Sequence, residues 1–162
     1  MERALLEYGG NAGRGGHQLT TKTSEQVFAA REEAAAFFGG KPENTIFCLN
    51  CTHALNLAIQ GILQPNDHVI ISSLEHNAVL RPVAAMVREQ GIRCSIAPVS
   101  ADDAETVAAF QERIRPDTKA IICTLASNVT GQILPYREIA ALCQANDICM
   151  IADGAQACGT LP

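Results

Sequence analysis

A surplus of positive charge and a long apolar run are both missing from this sequence. Twelve Lys and Arg stand against 17 Asp and Glu, so the 162 residues carry a net charge of -5. Without a basic surplus there is no electrostatic case for binding nucleic acid or an anionic membrane. No apolar stretch comes near the roughly 20 residues that a membrane-spanning helix needs. The opening residues, Met1-Glu2-Arg3-Ala4-Leu5-Leu6-Glu7, hold two acids and do not read as a secretory signal. Charge of either sign is scarce, at 18% of residues, against a usual level of about 25%. That scarcity suits a chain whose surface is partly covered by a partner or by further chain. Internal repeats, low-complexity tracts and linkers are absent too. What remains, a 48% hydrophobic content over 162 residues, suits one globular domain with a real core. The seven cysteines are odd in number. Without an export signal they point to a reducing, cytoplasmic setting rather than to a disulfide framework.

The pattern along the chain is an alternation. A glycine-dense segment, Gly9-Gly10-Asn11-Ala12-Gly13-Arg14-Gly15-Gly16-His17, comes first. Ser24 then reads as the N-cap of a helix whose Val27, Ala30, Arg31, Ala34 and Phe38 fall near helical spacing, before Gly39-Gly40 stops it. Beyond it, strands are expected over residues 45–49, 67–72, 92–99, 119–124 and 148–152. Helices are expected over residues 52–63, 78–90 (with an early Pro82), 104–114 and 136–146. Such alternation implies an α/β fold of three layers, a mostly parallel sheet with helices on both faces.

Polar groups fall just past the expected carboxyl ends of four of these strands. Cys51-Thr52 follows the first, Glu75-His76-Asn77 the second, Ser127-Asn128 the fourth, and Asp153 with Gln156 the fifth. Open α/β sheets bind ligands beyond those ends, so a site is expected along one edge of the sheet. Each residue also has a plain reading: Thr52 as a helix N-cap, Asn128 and Asp153 as turn residues, Gln156 as a surface amide, His76 as a structural histidine. Cys48-Leu49-Asn50-Cys51 offers a rival, a thiol redox pair between a strand and a helix. A zinc site lacks a second tight cysteine pair beside Cys143 and Cys149. A dinucleotide site lacks Gly-x-Gly-x-x-Gly between the first strand and its helix.

Five stretches in register carry a resemblance. They are residues 11–17 (NAGRGGH), 47–56 (FCLNCTHALN), 73–77 (SLEHN), 127–131 (SNVTG) and 153–156 (DGAQ). In order and spacing they resemble the class V, fold-type I pyridoxal-phosphate (PLP) enzymes, most of all the cysteine desulfurase and selenocysteine lyase branch. The resemblance implies the large PLP-binding domain, with these residues as follows. Asp153 would pair with the pyridine nitrogen, Gln156 with the ring's phenolic oxygen, and Asn128 would lie near that oxygen and the substrate carboxylate. Thr52 and the backbone of Cys51 would hold the phosphate at a helix end, where many family members have a hydroxyl residue in place of Cys51. His76 would stack on the ring and relay protons, the one catalytic side chain expected here.

The resemblance also implies a Schiff-base lysine downstream of Asp153 and a sulfur-accepting cysteine further on. The lysines present, Lys22, Lys41 and Lys119, all precede Asp153. The expectation is therefore a partial large domain over residues 1–162, with PLP bound weakly or not at all and no turnover by this chain alone. The parent activity would take sulfur or selenium from cysteine or selenocysteine, or be another class V aminotransferase reaction. A homo-oligomer and a sulfur-acceptor protein are the partners expected.

Overall fold

The computed structural model describes residues 2–13 and 15–161. Met1, Arg14 of the glycine-dense motif and Pro162 lie outside the described residues. The chain forms two compact units, Met1–Phe47 and Cys48–Pro162.

In the first unit, α1 (Glu2–Glu7) and α2 (Gln18–Phe37) precede a short 3-10 turn, Pro42–Asn44. The expected Ser24 cap is corrected. His17 is the N-cap of α2, its Nδ1 accepting the Thr20 N–H at 3.3 Å. Ser24 lies inside the helix, where its Oγ accepts the Gly13 N–H at 3.3 Å and ties the glycine-dense segment to α2. The start was missed because an imidazole does the work usually left to Ser, Thr, Asp or Asn.

The second unit runs α3 (Cys51–Ile62), β1 (His68–Ser72), α4 (Asn77–Gln90), β2 (Arg93–Ala97), α5 (Asp103–Gln111), β3 (Thr118–Thr124), α6 (Tyr136–Ala145) and β4 (Cys149–Asp153). The sheet order is β2-β1-β3-β4, with every pair parallel. Successive side chains of a strand point to opposite faces, and the core divides accordingly. Val69, Ile71, Ala120, Ile122 and Ile151 pack against α3 and α4. Ile70, Ile121 and Cys123 pack against α5 and α6. The three layers follow from that division.

The strand expected over residues 45–49 is not formed, which is a second correction. Ile46, Phe47 and Leu49 are 66%, 57% and 87% exposed. Their apolar and β-branched character suits a strand, but among the described residues no neighbour offers a ladder, and an unpaired strand does not stand alone.

The amino end of the sheet holds a histidine that the sequence reading left unremarked. His68 is fully buried, with Nδ1 2.8 Å from Thr118 Oγ1 and Nε2 2.9 Å from Ser95 Oγ. Thr118 Oγ1 also accepts the Arg115 N–H at 2.8 Å, which ties the ring to the turn before β3. Burial, with Arg115 beside it, pushes the His68 pKa down and keeps the ring neutral.

Candidate functional site

The sheet splits at its carboxyl edge. The β1–β3 ladder ends at Ile71↔Ile122. Beyond it β1 stays with β2 as far as Ser72↔Ala97, and β3 stays with β4 as far as Thr124↔Asp153. A chain that diverges this way opens a crevice between β1 and β3, the usual ligand position in such folds. A pocket of about 130 Å³ lies there, and Cys51, Thr52, His76, Asn128, Asp153 and Gln156 all line it. Four elements or their ends bring the six together. One expectation is corrected: Cys51 and Thr52 do not follow a strand but form the first turn of α3.

Asn50 caps that helix, its Oδ1 accepting the His53 N–H at 2.9 Å. The N–H groups of Cys51 and Thr52 are in the first turn, where no intrahelical acceptor exists. The Thr52 hydroxyl has no partner among the described residues.

Asp153 ends β4 and is only 4% exposed. Its Oδ1 accepts the Ala155 N–H at 3.0 Å and the Cys51 S–H at 3.3 Å. Its Oδ2 makes no hydrogen bond to the described residues, which leaves it to a ligand. Burial first, then the bond and charge of Asp153, push the Cys51 thiol up to about 11. A helix N-terminus ordinarily lowers a thiol pKa, but here desolvation and then the carboxylate outweigh it, and Cys51 stays protonated. A Cβ at Gly154 would lie 2.2 Å from Cys158 Sγ, so a larger residue there requires the exposed Cys158 thiol to turn away.

His76 is the N-cap of α4. Its Nδ1 accepts the Ala78 N–H at 3.1 Å, so the neutral ring carries its proton on the exposed Nε2. Asn128 sits in a turn held by Ser127, whose buried Oγ accepts the Val129 and Thr130 N–H groups, both at 3.3 Å. The Asn128 and Gln156 amides have no partner among the described residues.

Sequence reasoning quoted Glu75 without giving it a task. Its carboxyl is 8% exposed and reaches across the crevice, Oε1 accepting the Ser72 hydroxyl and the Thr124 N–H, the latter at 2.8 Å. Only its place just before His76 hinted at this.

The redox reading finds little support. Cys48 and Cys51 are free thiols, and a Cys51 thiol pushed up to about 11 is a poor nucleophile at neutral pH. Among the described residues no group of three or more His, Cys, Asp or Glu is placed to hold a metal ion, and no helix is long and apolar enough to cross a membrane. The lone lysine between residues 48 and 162, Lys119, is exposed near the start of β3, at the opposite end of that strand from the pocket.

Comparison with known proteins gives a consistent result. A family model described as aminotransferase class-V matches residues 1–162. A cysteine desulfurase of Serratia proteamaculans is 34% identical over 149 residues, which make up 89% of this chain and 37% of that protein. Among solved structures, SspA in complex with cysteine superimposes with a TM-score of 0.85 at 25% identity, over 96% of this chain and 46% of that one. The cystine C-S lyase C-DES, in complex with its reaction product cysteine persulfide, gives 0.79 at 27% identity, over 91% and 41%. The chain thus spans less than half the length of these relatives.

Proposed function

The chain belongs to the aminotransferase class-V family, and on that premise we propose that it is part of the large domain of a PLP enzyme that removes sulfur from L-cysteine. The observation that carries this is Asp153, a buried carboxylate with one oxygen held by the protein and the other unbonded, in the same pocket as a helix N-terminus. A helix end accepts a phosphate, and a carboxylate accepts a protonated ring nitrogen. The donor set fits a ligand that carries both.

In this reading Asp153 keeps the ring nitrogen protonated. The hydroxyl of Thr52 and the first-turn N–H groups of Thr52 and Cys51 hold the phosphate. Gln156 donates its amide to the phenolic oxygen, and Asn128 lies by that oxygen and the substrate carboxylate. His76 lies against the ring and holds or moves a proton at Nε2, because Nδ1 is committed to α4. When bound, PLP supplies a sink for the electrons released at the substrate's α-carbon.

Cysteine as substrate draws support from the cysteine and cysteine-persulfide complexes of the two structural neighbours. Free cysteines throughout suit a cytoplasmic setting. Among the described residues β2 and β4 are unpaired edges of the sheet, and Ile96 on β2 is 56% exposed, which supports burial against a second copy. A protein that accepts the sulfur is the remaining partner. Lys119 lies at the far end of β3 from the pocket, so no lysine of the second unit is placed to hold the cofactor covalently.

Titrating the chain with PLP at neutral pH, followed by cofactor absorbance, is expected to show weak saturable binding. Inorganic phosphate should compete, and Asp153→Ala should weaken it at least tenfold. Equal binding by Asp153→Ala would sink the proposal. Alanine release from L-cysteine, assayed on a longer polypeptide that adds the Schiff-base lysine, tests the reaction itself.

A further inference from the structure

The crevice between β1 and β3 leaves a backbone donor stranded. Leu125 N–H bonds Asp153 O on the β4 side at 2.9 Å. Alternation along a parallel strand turns the preceding Thr124 N–H toward β1. There is no β1 carbonyl there, because β1 has already left β3 after Ile71 and its next residues pair with β2, Ser73 N–H reaching Ala97 O at 2.9 Å. A buried N–H without an acceptor is costly. The Glu75 carboxyl takes the place of the missing carbonyl.

We propose that Glu75 is a positioning residue: its Oε1, bonded at once to Ser72 Oγ on β1 and to Thr124 N on β3, staples the two diverging strands and sets where His76 and Asn128 enter the pocket. The connection to each is short. His76 is the next residue along the chain. On the other side, Thr124 Oγ1 donates to Ala126 O at 2.8 Å, and Thr124 and Ala126 themselves line the pocket that Asn128 lines. The Ser72 hydroxyl also accepts the Leu74 N–H at 3.2 Å, which closes the β1 turn on itself. Glu75 Oε2 is buried and bonds nothing among the described residues. The carboxyl is therefore used through one oxygen, as a carbonyl would be.

That picture separates acceptor from charge. Glu75→Gln keeps a carbonyl oxygen in place, whereas Glu75→Met keeps the volume and removes the acceptor. The proposal rests on the cofactor reading only for what the pocket binds, so the first readouts need no cofactor. By NMR on the whole chain, Glu75→Met is expected to speed exchange of the Thr124 amide at least tenfold relative to that of Cys123, and to move the His76 ring and Asn128 side-chain resonances. Glu75→Gln should leave both near the parent. Unchanged Thr124 exchange in the Met variant, or a Gln variant that behaves like Met, would overturn the staple. If the Met variant does not fold, the parent decides: a Thr124 amide exchanging as fast as exposed loop amides overturns the proposal, and protection of about a hundredfold supports it. PLP affinity should then fall at least fivefold in Glu75→Met and stay within twofold in Glu75→Gln. A Met variant that loses stability but keeps parental affinity overturns positioning. Absence of PLP binding by the parent removes the cofactor reading alone, and the exchange and resonance results still stand.

Discussion

Two carboxyl groups at the carboxyl edge of the sheet are buried, Asp153 in the pocket and Glu75 between β1 and β3. Desolvation, with the bond and charge of Asp153 added to it, holds Cys51 as a thiol. Replacing Asp153 by Asn removes the charge and weakens the acceptor, while burial of Cys51 remains. The thiol pKa should therefore fall part of the way toward its ordinary 9.0. Since one pKa unit is a tenfold change in thiolate, alkylation of Cys51 at pH 8 is expected to run about threefold to tenfold faster in Asp153→Asn, read by mass spectrometry of the modified peptide. Glu75 behaves differently, because burial pushes its own carboxyl up from 4.5 to about 7, with the charge of Asp153 adding and the bonds from Ser72 and Thr124 opposing. The folded chain holds that proton more tightly than the unfolded chain. Its contribution is present in full below about pH 4.5 and is lost as pH rises to about 7. Glu75→Gln should flatten this decline. The gap between variant and parent in urea unfolding should widen from pH 4.5 to pH 8, by at most on the order of 3 kcal/mol.

At the scale of elements, caps decide where helices begin and what they offer the site. Asn50 satisfies the His53 N–H and leaves those of Cys51 and Thr52 open. Asn50→Ala is expected to cost about 1 kcal/mol in urea unfolding and to weaken phosphate or PLP binding, because the first turn of α3 frays. A variant that binds as the parent does would show that the helix end takes no part. At the C-terminal end of α4, Gly91 sits at φ 70 with Asn66 Oδ1 3.2 Å from where a Cβ would go, so the helix stop there is set by backbone geometry. Most elements after residue 50 were legible because their signals are local. The run from Val69 to Ile71 and the Gly after Gln90 announce themselves within a few residues. The start of α2 was not legible, since capping by His17 is uncommon. The strand at residues 45–49 was over-read, because a short apolar run reports suitability for a sheet and not the presence of a neighbour.

For the molecule as a whole, stability rests on the two faces of the sheet. Ile122 is wholly buried against α3 and α4, whereas Leu57 on α3 is 49% exposed. Ile122→Ala is expected to cost about 2–5 kcal/mol, a large part of a typical total of about 5–15 kcal/mol. Leu57→Ala should stay within about 0.5 kcal/mol. Comparable losses from the two would mean that the division of the core is misdrawn.

The amino-acid sequence alone determined the α/β class, the three layers and the positions of His76, Asn128, Asp153 and Gln156 just past strand ends. All of these follow from periodicity and turn chemistry, which act between residues a few positions apart. Tertiary structure decided what those groups do to one another. Cys51 meets Asp153 across 102 residues, and Glu75 meets Thr124 across 49. Both contacts depend on which strand lies beside which, and that follows from the direction each crossover takes. Where β1 turns toward β2 and β3 toward β4, a backbone N–H is left without a carbonyl, and no local pattern in the sequence records that need.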